Sequence, residues 1–108
     1  MVTIDMLKDS AGDLIGFDAK GHSGYEERGR DIVCAAVSVL TLTTAKGLIE
    51  HVGLNPTIQQ GPGRLLCRID NYAELSKEMR HNASLLLKTM LTGLEQIVCQ
   101  YPDFVRLN

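Results

Sequence analysis

Apolar and polar residues alternate from the start of the chain. Val2, Ile4 and Met6 are separated by Thr3 and Asp5, the two-residue period of a strand with one buried face. Asp9-Ser10-Ala11-Gly12-Asp13 is turn chemistry, and Ile15, Phe17 and Ala19 alternate again, so two strands joined as a hairpin are predicted. A polar loop, Gly21 to Arg30, follows. Asp31 suits an N-cap, and a helix is predicted from there to about Val52, stopped by Gly53 with Pro56 beyond. Thr57 to Gln60 and Leu65 to Asp70 flank Gly61-Pro62-Gly63 and read as a second hairpin. Asn71-Tyr72-Ala73-Glu74 has the form of a capping box. After it Leu75, Met79, Ala83, Leu87, Met90, Leu94, Ile97, Val98 and Tyr101 recur at helical spacing until Pro102. Phe104 to Leu107 reads as a last short strand.

The order is strand, strand, helix, strand, strand, helix, strand. This predicts an α/β fold of the α+β type. It is a two-layer sandwich with a mixed sheet of about five strands, helices on one face, and a single domain over residues 1–108. The two helices differ. The second has one apolar stripe. The first carries Ile32, Val33, Val37, Val39, Leu40, Leu42, Leu48 and Ile49 on more than one side, the pattern of a helix buried on several sides. Val39, Leu42 and Ile49 lie off the stripe of Val33, Val37 and Leu40. Either the second helix covers them or a second copy of the chain does.

Composition narrows the class. Hydrophobic residues make up 44% and charged residues 22%, values of a soluble globular domain, and the net charge of −2 offers no basic field for nucleic acid. No signal peptide is expected, because no charged segment precedes an apolar one at the N-terminus. The longest apolar stretch, Ile32 to Leu42, is interrupted by Ser38 and Thr41 and is short for a bilayer, so no membrane partner is expected. Three cysteines without a Cys-x-x-Cys pair suggest neither a disulfide framework nor a zinc site. Reduced thiols in a cytoplasm, with no metal and no cofactor, fit best.

The candidate chemistry lies in one segment. His22 sits in a loop between Gly21 and Gly24, and Cys34 falls twelve residues later in the first turn of the first helix. A helix N-terminus and a nearby imidazole both favour a thiolate, the reactive form of cysteine. Packing alone would also account for Cys34, since cysteine is a common small core residue. Against that stands a polar stripe of Ser38 and Thr41 on the Cys34 face. Asp31 has two readings: the helix cap, or a third catalytic member orienting His22. Ser38 has two as well, a bond to the site or one back to its own helix. Gly24 to Arg30 reads as an ordinary solvated loop or as a lid over bound peptide, with Tyr25 packing on substrate. Cys67 alternates with Leu65 and Ile69 and belongs to the core. Cys99 flanks the stripe of the last helix, and His51 and His81 read as surface residues.

The run Gly21-His22-Ser23-Gly24-Tyr25, then Gly29 and Asp31-Ile32-Val33-Cys34-Ala35-Ala36-Val37-Ser38, resembles the signature of the ribosomal-processing cysteine proteases, the Prp family. Length and element order agree over nearly the whole chain. The resemblance implies a cysteine endopeptidase supporting ribosome assembly, with Cys34 as nucleophile and His22 as base, and a homodimer. Its substrate would be the N-terminal extension of a large-subunit ribosomal protein, the twenty-seventh of the L series, cut after phenylalanine to leave an N-terminal alanine. The Cys34 N–H would serve the oxyanion. Two other classes fit the residues less closely: a non-catalytic peptide-binding module in ribosome assembly, and a small thioester hydrolase. A protease needs an extended cleft, a thioesterase a narrow apolar pocket, and a pure binder no reactive thiol.

Overall fold

The structure, a computed structural model, describes residues 1–27 and 30–108. The alternating segments at the start form β1 (Val2–Lys8) and β2 (Leu14–Lys20), paired antiparallel with Met6 opposite Phe17. The turn between them is closed by Asp9, whose Oδ1 accepts the N–H groups of Ala11 at 3.0 Å and Asp13 at 2.9 Å. β3 (Thr57–Gly61) and β4 (Arg64–Arg68) make the second hairpin, and β4 pairs antiparallel with β2. β5 (Val105–Leu107) joins the far edge parallel to β1. The five strands run in the order β3-β4-β2-β1-β5, a mixed sheet with one parallel pair.

The helices are α1 (Ile32–Glu50) and α2 (Lys77–Gln100). They pack against each other and against one face of the sheet, with Ile4, Phe17, Cys67, Leu48, Leu87 and Leu94 wholly inaccessible between the layers. The capping box expected at Asn71 is not formed. Tyr72–Glu74 is a single 3₁₀ turn, Asn71 makes no side-chain cap, and α2 begins after Ser76, whose hydroxyl accepts the Met79 N–H at 3.1 Å. Burial of Tyr72 holds the preceding segment as a turn, so Leu75 stays outside the helix.

α1 also departs from expectation. It buries a single face, with Val33, Val37, Thr41, Ala45 and Leu48 in the core, while Ile32, Val39, Leu42 and Ile49 are 38–64% exposed. Within one chain α2 does not cover those four residues. The continuous helix is longer than its uninterrupted apolar run. Its 19 residues, with a mean hydropathy of 1.9 over the most apolar window, meet the length and composition needed to cross a membrane, which the stretch to Leu42 had understated. In the fold its inner face is committed to the protein core.

Candidate active site

β2 ends at Lys20, and Gly21 turns the chain with φ +93° while its N–H bonds the Gly63 carbonyl at 2.8 Å. A Cβ on Gly21 would lie 2.3 Å from the Met1 carbonyl oxygen, so the turn has room only for glycine. This brings His22 to the β3–β4 turn. Its imidazole rests on Gly63, where an added Cβ would stand 2.9 Å from Nε2. Gly24, also at positive φ, redirects the chain beyond it.

Asp31 starts α1 as its cap. Its Oδ1 accepts the Cys34 N–H at 2.9 Å, which places Cys34 at the third position of the helix. Its Oδ2 accepts the Ser23 hydroxyl and, at 3.4 Å, the Glu26 N–H. Burial opposes ionisation of this carboxyl. The Ser23 hydroxyl, the Cys34 and Glu26 N–H groups and the Cys34 side chain outweigh it and hold the carboxyl down at about 2. Among the described residues Asp31 makes no bond to His22, so the geometry is that of a cap. The same bond corrects the expectation for the oxyanion. The Cys34 N–H is engaged by Asp31, and the N–H that reaches the Cys34 sulfur is that of Ser23, 3.2 Å from Sγ.

Two depressions meet at this sulfur. The first, about 170 Å³, lies between α1 and the sheet and includes Lys20, Gly21, Thr41, Gln60, Gly63 and Arg64. The second, about 510 Å³, lies between α1 and the loop and includes Gly24, Glu26, Arg30, Asp31, Ile32 and Ala35. His22, Cys34 and Ser38 line both. The result is an open groove crossing Cys34. Ser38 is exposed and is not bonded back to its helix, unlike Thr41 and Thr44, whose hydroxyls bond the Val37 and Leu40 carbonyls.

The other residues fall elsewhere. Tyr25 lines neither depression but stands edge-on to Tyr101 and Phe104, with ring centroids 5.4 and 5.2 Å away. The loop therefore has an aromatic anchor that its composition did not suggest. Arg28 and Gly29, part of the expected lid, lie outside the described residues. Cys67 is fully buried, and burial pushes its thiol up to about 11. Cys99 is exposed, one step off the apolar stripe, and His51 and His81 are exposed as expected. Among the described residues no His, Cys, Asp and Glu side chains gather as a metal site. Sequence reasoning passed over Ser23, which is 3% exposed and bonded to Asp31, and also Gln60, Gly63 and Arg64. Ser23 lies inside the signature, so its place beside His22 was the available signal. The residues from the β3–β4 hairpin carried none.

The sequence model described as "Cysteine protease Prp" matches residues 1–106. The chain belongs to the Prp cysteine proteases. The ribosomal processing cysteine protease Prp of Bacillus subtilis strain 168 is 29% identical over 95 residues, 88% of this chain and 85% of that protein. A crystal structure of the essential ribosomal processing protease Prp from S. aureus, with a covalently linked product peptide, superposes with TM-score 0.86 at 28% identity. It covers 100% of this chain and 98% of that one. A second S. aureus Prp structure, with a substrate peptide, gives TM-score 0.81 at 27% identity over the same shares.

The arrangement suits the chemistry of a Prp protease. Cys34 lies in the first turn of α1, and the Ser23 N–H reaches its sulfur at 3.2 Å. His22, on the same groove, is the imidazole within the site.

Proposed function

We propose that this protease is an endopeptidase that removes the N-terminal extension of a bacterial large-subunit ribosomal protein, the twenty-seventh of the L series. The observation that carries this reading is the groove crossing Cys34, lined on both sides of the sulfur by His22 and Ser38. An extended peptide needs room on both sides of the scissile bond, and a narrow acyl pocket does not provide it. The peptide complexes of the S. aureus enzyme support the same mode of binding.

Cys34 is the nucleophile and His22 the base. His22 takes the Cys34 proton, and the thiolate adds to the scissile carbonyl to form a tetrahedral oxyanion. Collapse breaks the C–N bond while the imidazolium protonates the leaving amine. Water, deprotonated by His22, then releases the acyl group and restores the thiol. The new N-terminus begins with the alanine that follows phenylalanine in the extension. The reaction takes place in the cytoplasm, and the enzyme is a homodimer paired through Val39, Leu42 and Ile49, apolar surface of the kind that marks interfaces. The test is cleavage of a synthetic extension peptide, read by mass. One cut after phenylalanine, absent in Cys34→Ala, is expected. No cut by the unaltered enzyme would overturn the substrate. Light scattering that gave a monomer mass of about 12 kDa would overturn the dimer.

A further inference from the structure

We infer that Ser23 is a positioning residue for the Cys34 thiolate, acting through a clasp between loop and helix. Ser23 is a polar side chain in a polar loop, yet it is 3% exposed and stands among acceptors and donors that leave it one orientation. Its hydroxyl donates to Asp31 Oδ2 and accepts the Tyr25 N–H at 3.2 Å. Its own N–H donates to Cys34 Sγ at 3.2 Å. Asp31 in turn holds the Cys34 N–H. Three hydrogen bonds close a ring: Ser23 hydroxyl to Asp31, Asp31 to the Cys34 backbone, Cys34 sulfur to the Ser23 backbone.

The ring has two electrostatic consequences. A hydrogen bond donated to the charged form of a group favours that form, so the Ser23 N–H stabilises the thiolate over the thiol. Asp31 works the other way, since a carboxylate beside a sulfur opposes a second negative charge. The Ser23 hydroxyl offsets this by donating to Asp31 and drawing its charge away from the sulfur. The remaining groups facing Cys34 are known. His22, Glu26 and Arg30 line the depression on the loop side, and Lys20 and Arg64 line the one on the sheet side, Arg64 being paired with Asp18 at 3.2 Å. None of them fixes the direction of the Ser23 N–H. The peptide that carries it is held from two sides, by the Met1 ammonium on the His22 carbonyl and by the Ser23 hydroxyl on Asp31, and an alanine at position 23 removes the second hold.

This inference rests on Cys34 as the reactive thiol, and its readout is alkylation rather than cleavage. Cys34 labelling by iodoacetamide is followed by mass spectrometry from pH 5 to 10 in the unaltered protein, Ser23→Ala and Ser23→Thr. Ser23→Ala raises the pH of half-maximal labelling by about one pH unit, the size expected for loss of one hydrogen bond to a charged group. Ser23→Thr, which keeps the hydroxyl, restores it toward the original value. A Ser23→Ala midpoint equal to that of the unaltered protein, with or without a lower melting temperature, overturns the inference and leaves Ser23 as packing. A second measurement needs no variant at Ser23. The Ser23 amide proton resonance titrates with the Cys34 labelling midpoint in the unaltered protein, and that titration is absent in Cys34→Ala. An amide that does not follow the cysteine overturns the inference even where Ser23→Ala does not fold. If instead Cys34→Ala still cleaved peptide, the proposed nucleophile would fall while the Ser23–Cys34 coupling stood.

Discussion

Cys34 and Cys67 pack against the same hydrophobic core, but the atoms that reach their sulfurs differ. Cys67 sits mid-strand in β4, opposite Phe17 and Ile58, sealed from solvent. Burial alone acts on its thiol and pushes it up to about 11. Cys34 sits where a loop meets a helix start, half-buried, with the Ser23 N–H on its sulfur and the α1 N-terminus beneath it. The same side chain is sealed off in one place and open to a groove in the other. The difference is made by a backbone N–H: Cys67 lies within paired strands, whereas the loop before α1 turns the Ser23 N–H onto the Cys34 sulfur.

The largest effect expected from this contrast is loss of activity in Cys34→Ala. Its kcat for extension-peptide cleavage falls by at least about 10⁴-fold with the melting temperature nearly unchanged, because the missing group is the proposed nucleophile and little core is lost. Cleavage at an undiminished rate would break the comparison outright. His22→Ala comes next, with kcat down about 10²- to 10⁴-fold and KM little changed, the worth of general acid–base help. A change confined to KM would make His22 a binding residue.

Cys67→Ala is the mirror experiment. It costs about 1–2 kcal/mol of stability in urea unfolding through the small cavity left behind, and kcat stays within about twofold. A large loss of kcat without a loss of stability would place Cys67 in the site after all.

The smallest effect is on acid stability. Asp31 is held at about 2 against the usual 3.8, so its contribution is fully present above about pH 4 and is lost as pH falls through 2. The melting-temperature gap between the unaltered protein and Asp31→Asn is therefore expected to shrink from pH 5 to pH 2. A gap that widened on acidification would mean that Asp31 does not bond its partners as the ionised group.

The local elements were legible because their causes are local. Alternation in Val2–Met6 and Ile15–Ala19, Asp31 as cap and Pro102 as stop each act over a few residues, and each holds in the fold. So does the twelve-residue step that delivers His22 and Cys34 to one groove. The start of α2 was misread because Tyr72 is pinned by burial, which propensity at Asn71 does not register. Tyr25 was misread because its partners, Tyr101 and Phe104, lie more than seventy residues away. The sequence by itself determined the order of elements, the helix start at Asp31 and the candidate pair His22 and Cys34. Only the tertiary structure decided that Cys34 spends its own N–H on Asp31 and receives that of Ser23, and that Gly63 seats His22. It also decided that one apolar side of α1 remains uncovered. Those outcomes depend on the directions of N–H groups and on contacts between distant segments, and neither is encoded in the spacing of residues along the chain.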